Sequence, residues 1–312
     1  MSDAAQLIQD LTSSDVATRK KAVMQAGEAK IKESIPTLIH LLQTDTDSVV
    51  RNSAARALGK INDPDQHDII LDALCQATTD SDYYTRANAC WSLGKLKDKR
   101  ALPFLTKMIQ PNQIVYMTTG DGKIDTSQKT VSAELKETGV QYTDTILKAI
   151  GALAEIGDPD AIPALLQALK EESDGNIRCA AALALGKVRS PEALDRLIAA
   201  LNDKFWYVRR DIAKAFKDYK DPKTIKPLIR LLNDMYDQVK KNAMDALIAI
   251  GKPAAKDLLL LFLAQPTNPQ LKSFIKTLTK PEMIALIDEL IQNETDPAKK
   301  DKYIKFLTQL QG

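Results

Sequence analysis

Rings and turn formers are scarce in this chain: Phe, Trp and Tyr together make 5% of it, and Gly supplies 12 of 312 residues. That scarcity argues against a β-sandwich and for helices packed through Leu and Ala. Histidine occurs twice, as His40 and His67, neither followed by Glu, so no helical zinc motif exists. His40, within "LIHLLQ", reads as a helix-face residue. Cys75, Cys90 and Cys179 are scattered, without a C-x-x-C. An odd set so spaced suits neither a disulfide framework nor a zinc or iron–sulfur site, and reads as buried, reduced thiols in an intracellular protein. No apolar run approaches the roughly 20 residues needed to span a bilayer. "MSDAAQLIQDLTSSD" lacks the basic and apolar regions of a secretory leader, so the expected location is the cytoplasm. Charge of one sign is missing too: 43 Lys and Arg face 41 Asp and Glu, for a net charge of +2. Such a balance gives no general attraction to nucleic acid or an anionic membrane, and binding must be local. P-loop, GxSxG and Rossmann fingerprints are absent as well.

What is present is a repeat. "DSVVRNSAARALGKINDP", Asp47 to Pro64, has echoes in "DVATRKKAVMQAGEA", "DYYTRANACWSLGKLKD", "TDTILKAIGALAEIGDP", "GNIRCAAALALGKVRSP", "WYVRRDIAKAFKDYKDP" and "DQVKKNAMDALIAIGKP". With the Gly of "ALGK" as marker, equivalent positions are Gly27, Gly59, Gly94, Ala154, Gly186, Lys217 and Ile248, in steps of 32, 35, 60, 32, 31 and 31 residues. Each period divides into two helices. The first is short and Leu-rich, with Pro36, Pro103, Pro163 or Pro227 in its first turn, where the missing N–H costs nothing. The second follows an Asp or Asn turn and runs through small residues, and "DP" marks the break to the next unit. Neither helix can bury its apolar stripe alone, so the units must stack. The expected fold is all-α: a right-handed α-α superhelix of about nine helix pairs, one solenoid over 1–312, with degenerate capping repeats over 252–312.

The Asp turn, "VR", "AA-ALG" and "DP" together resemble HEAT repeats, an armadillo-like helical class, and in particular the short bacterial type named after phycobilisome lyases. The resemblance covers about residues 14–250, with weaker repeats to 312. It implies chiefly protein binding, with a few enzymatic branches. One branch, the deoxyhypusine hydroxylases, holds a di-iron centre through four His-Glu pairs that are missing here, which excludes that activity. "DYYTRANACWSLGKLKDKRAL" is similar to a Tyr-Tyr and Trp-bearing segment of the bilin lyases. On that likeness Tyr83, Tyr84, Arg86 and Trp91 would line a bilin site, with Arg86 meeting a propionate.

The repeat Arg recurs as Arg19, Arg51, Arg86, Arg178 and Arg209, with Lys240 as substitute. One reading is a structural ladder, each Arg forking onto a turn Asp of its own or the adjacent repeat. The other is a row of cations offered to an acidic partner.

The 60-residue step contains "IVYMTTGDGKIDTSQKTVSAELKETGVQ", Ile114 to Gln141. Its "GDGKID" looks like part of a calcium loop. Aligned so, the key ligand positions fall on Met117, Thr119 and Gln128, and a calcium loop needs carboxylates there. The stretch reads instead as a hairpin-like loop, 111–141, between the two helices of the fourth repeat, turning at Asp-Gly. A long loop in a compact scaffold is usually functional or disordered. Tyr83 and Tyr84 are expected at the same edge one unit earlier, and Phe205, Trp206 and Tyr207 two units later, beside Arg209 and Arg210. Trp, Tyr and Arg are the usual interface anchors. Trp91, inside a helix, reads as packing.

The expected function is a scaffold, adaptor or assembly factor without catalysis of its own, monomeric alone. It would bind another protein on its concave face and at the edge formed by Tyr83, Tyr84, Arg86, Tyr116, Asp121, Lys123, Phe205, Trp206, Tyr207, Arg209 and Arg210. No metal and no cofactor are expected. The alternative is a bilin lyase or bilin-handling chaperone acting on a phycobiliprotein, with a bilin as ligand. A further one is an accessory to an iron–sulfur carrier. Nucleic-acid binding would need an unpaired basic stripe, and none is visible in the sequence.

Overall fold

The structure is a computed structural model that describes residues 3–110, 139–170 and 174–311. Eighteen α-helices and no strand occur among the described residues, and the chain is an all-α solenoid. They form two compact units, Met1–Ala215 and Phe216–Gly312.

In the first unit the helices are α1 (Asp3–Leu11), α2 (Val16–Ala29), α3 (Ile35–Thr44), α4 (Ser48–Ile61), α5 (His67–Ala77), α6 (Tyr83–Leu96), α7 (Leu102–Met108), α8 (Gly139–Ile156), α9 (Ile162–Ala168), α10 (Gly175–Val188), α11 (Pro191–Ala200) and α12 (Trp206–Tyr219), the last running across the boundary at 215. The even-numbered helices begin where the Asp turns place them. Asp15 accepts from the backbone N–H of Thr18, Asp47 from those of Val49 and Val50, Asp82 from Thr85 and Asp174 from Asn176. Each such cap satisfies donors that the first turn would otherwise orphan, and is worth about 1 kcal/mol. The odd-numbered helices α3, α7, α9 and α11 carry Pro at the first or second position.

Burial follows the helical period. On α4, Val50, Ala54, Ala57, Leu58 and Ile61 turn inward; on α3, Ile35, Leu38, Leu41 and Leu42 do. The Gly markers explain why the second helices sit so close. A Cβ built on Gly27 would stand 2.9 Å from Ala57 Cα, one on Gly94 2.9 Å from Ala152 Cα, and one on Gly186 3.0 Å from Ala215 Cα. On Gly59 it would meet Ser92 Cα at 2.8 Å. The glycines are therefore helix-interior contact points, two residues out of register with a small residue on the next helix. They do not end the helices. That task falls to left-handed residues three positions later, among them Lys30, Asn62, Lys97 and Arg189.

Helix α8 packs on α6 as α6 packs on α4, so the row of second helices continues past the 60-residue step. Helix α8 begins at Gly139, so the end of the expected 111–141 loop is already helical. Residues 111–138, and with them Tyr116, Asp121 and Lys123, lie outside the described residues.

The second unit contains α13 (Ile225–Leu231), α14 (Asp237–Ile250), α15 (Ala255–Ala264), α16 (Pro269–Ile275), α17 (Lys280–Asn293) and α18 (Pro297–Gln311). They pair in sequence order, α13 with α14, α15 with α16 and α17 with α18. A capping box joins Thr279 and Glu282 at the start of α17. On α18, Tyr303 is buried while Lys302, Ile304 and Lys305 are exposed.

Candidate functional site

The repeat arginines form the ladder. Arg19 forks onto Asp45 through Nε and Nη2 at 2.7 and 3.0 Å, Arg51 onto Asp80 at 2.9 and 3.0 Å, and Arg178 onto Asp203 at 2.6 and 3.0 Å. In each case the Asp belongs to the turn of the following repeat. The remaining Nη1 donates to carbonyls of its own turn, Ser13 and Ser14 for Arg19, Asp45 and Thr46 for Arg51. Each Asp also accepts a backbone N–H two residues on, from Asp47, Asp82 and Phe205. One guanidinium thus ties two turns together, and its fixed fork geometry suits the task better than an ammonium.

Arg86 and Arg209 make the same contacts within their own turns. Arg86 is 6% exposed and donates to the carbonyls of Asp80 and Ser81; Arg209 donates to those of Asp203 and Lys204. Arg86, expected at the partner-facing edge, is thus a largely buried residue whose Nη1 donates within its own turn.

The aromatic residues are differently placed. Tyr83 and Tyr84 open α6 with ring centroids 3.8 Å apart, and Tyr84 is 54% exposed. Before α12, Phe205 is 38% exposed and stacks on Tyr207 at 5.2 Å, while Trp206 meets Tyr207 edge-on at 6.0 Å. Cations cover these rings: Arg178 and Lys204 lie over Phe205 at 5.5 and 5.3 Å, and Arg210 over Trp206 at 5.4 Å while it pairs with Asp211. The Phe205 ring shields the Arg178–Asp203 pair from water on one side. Burial alone would raise the Asp203 carboxyl, but the Arg178 fork and the Phe205 N–H together hold it below the usual range. Tyr207 also fills the space beside Gly175, where a Cβ would meet its hydroxyl.

A second surface lies on the exposed side of α2, α4 and α6. A shallow depression of about 360 Å³ is lined by Met24, Asn52, Arg56 and Asn88, and adjoins one of about 500 Å³ lined by Lys30, Trp91 and Lys95. Glu28 and Lys60, themselves an ion pair, border both. Arg56 and Lys95 lie over the half-buried Trp91 ring at 5.6 and 5.5 Å. Sequence reasoning placed Trp91 in packing or in a bilin site and missed Arg56, Lys95 and Met24. The repeat register carried the signal: Met24, Arg56 and Trp91 each stand three residues before a Gly marker.

No group of three or more His, Cys, Asp or Glu able to hold a metal occurs among the described residues. His67 pairs with Asp98 at 2.9 Å, and Asp98 also receives Arg100, which pulls its carboxyl well below the usual carboxylate range. The three thiols are buried and unbridged. Burial pushes Cys75 up to about 11 and Cys90 and Cys179 to about 12, so none is a nucleophile at neutral pH. No helix of the described residues is long and apolar enough to cross a membrane.

The family comparisons agree with this architecture. The family described as HEAT repeats matches residues 4–74, 66–116, 141–216 and 194–279. The phycocyanobilin lyase subunit alpha of Nostoc sp. is 33% identical over 186 residues, 57% of this chain and 59% of that protein. The chain thus spans less than two thirds of the length of that relative. Among solved structures, the YibA protein of Escherichia coli superposes with a TM-score of 0.52 at 20% identity, over 88% of this chain and 92% of that one. Kap95p, solved with RanGDP, gives 0.53 at 14% identity, over 98% and 45%. Repeat period, Asp-capped second helices, the Arg–Asp ladder and the matched residues lead to one conclusion: the chain belongs to the HEAT-repeat family.

Proposed function

We propose that the chain is a protein-binding adaptor or assembly factor, docking its partner through the turns that open α6 and α12. The observation that carries this reading is the gathering of aromatic rings at two turns, the exposed Tyr84 against Tyr83 and the exposed Phe205 against Tyr207 with Trp206 beside it. These rings, with Trp206, Tyr207 and Arg210 beside Phe205, are of the types that anchor interfaces. A stacked helical scaffold offers such a surface ready-ordered, so little conformational entropy is lost on binding. Affinity capture from the source organism tests it. The wild-type chain should retain a partner that the double variant Tyr84→Ser, Phe205→Ser loses at unchanged helical circular dichroism. Equal recovery by both would remove the edge from consideration.

A second reading, bilin handling on a phycobiliprotein, is favoured by the 33% identity to a lyase subunit. That relative is named as a subunit, which is consistent with a chain that acts only together with another protein. Mixing the purified chain with phycocyanobilin checks this reading. A shifted visible band supports it, and an unchanged spectrum leaves the adaptor without a pigment.

A further inference from the structure

We infer that the depression around Trp91 receives an extended, acidic segment of a partner protein. This rests on the adaptor reading only in that the occupant is a protein; the surface is a different one from the edge turns. Charge selects the occupant. Several cations of the first unit are taken up by carboxylates: Arg19 by Asp45, Arg51 by Asp80, Arg178 by Asp203, Lys60 by Glu28, Lys187 by Glu155. Arg56 and Lys95 differ. Among the described residues Glu28 lies near enough to feel Arg56 and Glu155 near enough to feel Lys95, but neither cation is held in an ion pair, and both lie over Trp91. A guanidinium held over a ring face uses none of its N–H donors in that contact, which leaves them available to a carboxylate. The arrangement is therefore a pair of pre-positioned cations on an aromatic floor, with the exposed Met24 as an apolar neighbour.

Shape selects an extended segment. The depression runs across three parallel-packed helices, from Met24 on α2 through Arg56 on α4 to Trp91 and Lys95 on α6. One repeat further along the same register the wall ends: Gly151 on α8 stands at the position of Trp91 and, among the described residues, has nothing within 4 Å of where its Cβ would be. A chain laid across the helices meets Met24, a cation, the indole, a cation and then open space. Glu28, exposed beside Lys60, makes the patch a poor match for a uniformly charged phosphate backbone.

The test uses the full chain in a Trp206→Phe background, so that Trp91 is the one indole left, with a short fluorescein-labelled peptide in which Glu alternates with Leu. The expected result is saturable binding accompanied by a change in Trp91 emission. Affinity should fall about tenfold or more when Gln replaces Glu in the peptide, and again in the chain variants Arg56→Glu and Lys95→Glu. Equal affinity for the Glu and Gln peptides overturns the inference. So does undiminished binding by Arg56→Glu at native helical content, or a single-stranded oligonucleotide that binds tighter than the peptide at the same salt. Failure here with intact partner capture by the edge turns sinks this surface alone; loss of capture on changing the edge, with peptide binding retained, leaves both standing as separate sites.

Discussion

Arg178 shows what a single residue does in this fold. Its guanidinium is 2% exposed and its partner Asp203 6% exposed, and they meet as a fork at 2.6 and 3.0 Å. Removing one member of such a pair leaves a buried charge without compensation, so Arg178→Ala should lose about 3–5 kcal/mol of stability at neutral pH. The pH dependence follows from the depressed Asp203 carboxyl. A lowered folded-state pKa gives stability that is present above the unfolded value, near about 3.9, and disappears as pH falls through the folded value. In Arg178→Ala the burial that raises Asp203 acts without the opposing fork. The gap between variant and wild type should therefore be widest at neutral pH and narrow below about pH 4. Urea titrations of both proteins at several pH values read this directly, and a gap that stays constant with pH would show that lost packing, not charge, dominates. The spacing of the repeat arginines was legible in the sequence, including their recurrence after each Asp turn. Which of two roles each one plays was not. Arg86 is largely buried and donates inside its own turn, while Arg56, outside the repeat pattern, is exposed over Trp91.

At the level of the helix, the glycines carry the packing information. Gly59 touches Ser92 so closely that a Cβ would overlap its Cα at 2.8 Å, whereas Gly151, in the middle of α8, faces open space. The same substitution should then act with opposite signs. Ala in a helix interior gains up to about 1 kcal/mol over Gly from backbone entropy. At Gly151 nothing opposes that gain, and Gly151→Ala should stabilise. At Gly59 overpacking of about 1–3 kcal/mol exceeds it, and Gly59→Ala should destabilise. Thermal melts of the two variants decide the matter; a shift of the same sign in both would mean that the second helices are not held at the spacing described. The sequence supplied the marker and its period, but a Gly inside "ALGK" reads equally as a helix end or a contact. Only the neighbouring helix distinguishes them.

For the chain as a whole, carboxylates paired with cations recur in both units. In the first, Asp45 is lowered by the Arg19 fork against the upward push of burial, Asp98 by Arg100, Glu28 by Lys60 and Glu155 by Lys187. In the second, Lys252 and the N–H of Thr279 draw Glu282 down to about 2. All of these are depressed, so each contributes stability above the ordinary carboxylate range and loses it as pH falls. Helical circular dichroism should stay flat from neutral pH to about 5 and decline below about 4. A transition centred near pH 6 would contradict the carboxylate account. The exposed pairs, such as Lys60 with Glu28, should add little and respond to salt.

Local chemistry settled the helices, their pairing and their number from the sequence alone. An Asp before an Ala-rich stretch caps a helix wherever it stands, a Pro opens one, and a period near 32 residues cannot bury apolar stripes except by stacking. The 60-residue step was legible as an insertion for the same reason, since α8 resumes the pattern on its far side. What the tertiary structure decided is the use of charge and of surface. Whether a guanidinium meets a carboxylate, a carbonyl or an indole depends on distances of a few ångströms between helices a whole repeat apart. Periodicity fixes which residues share a face; only the packed interval between neighbouring helices fixes what that face can reach.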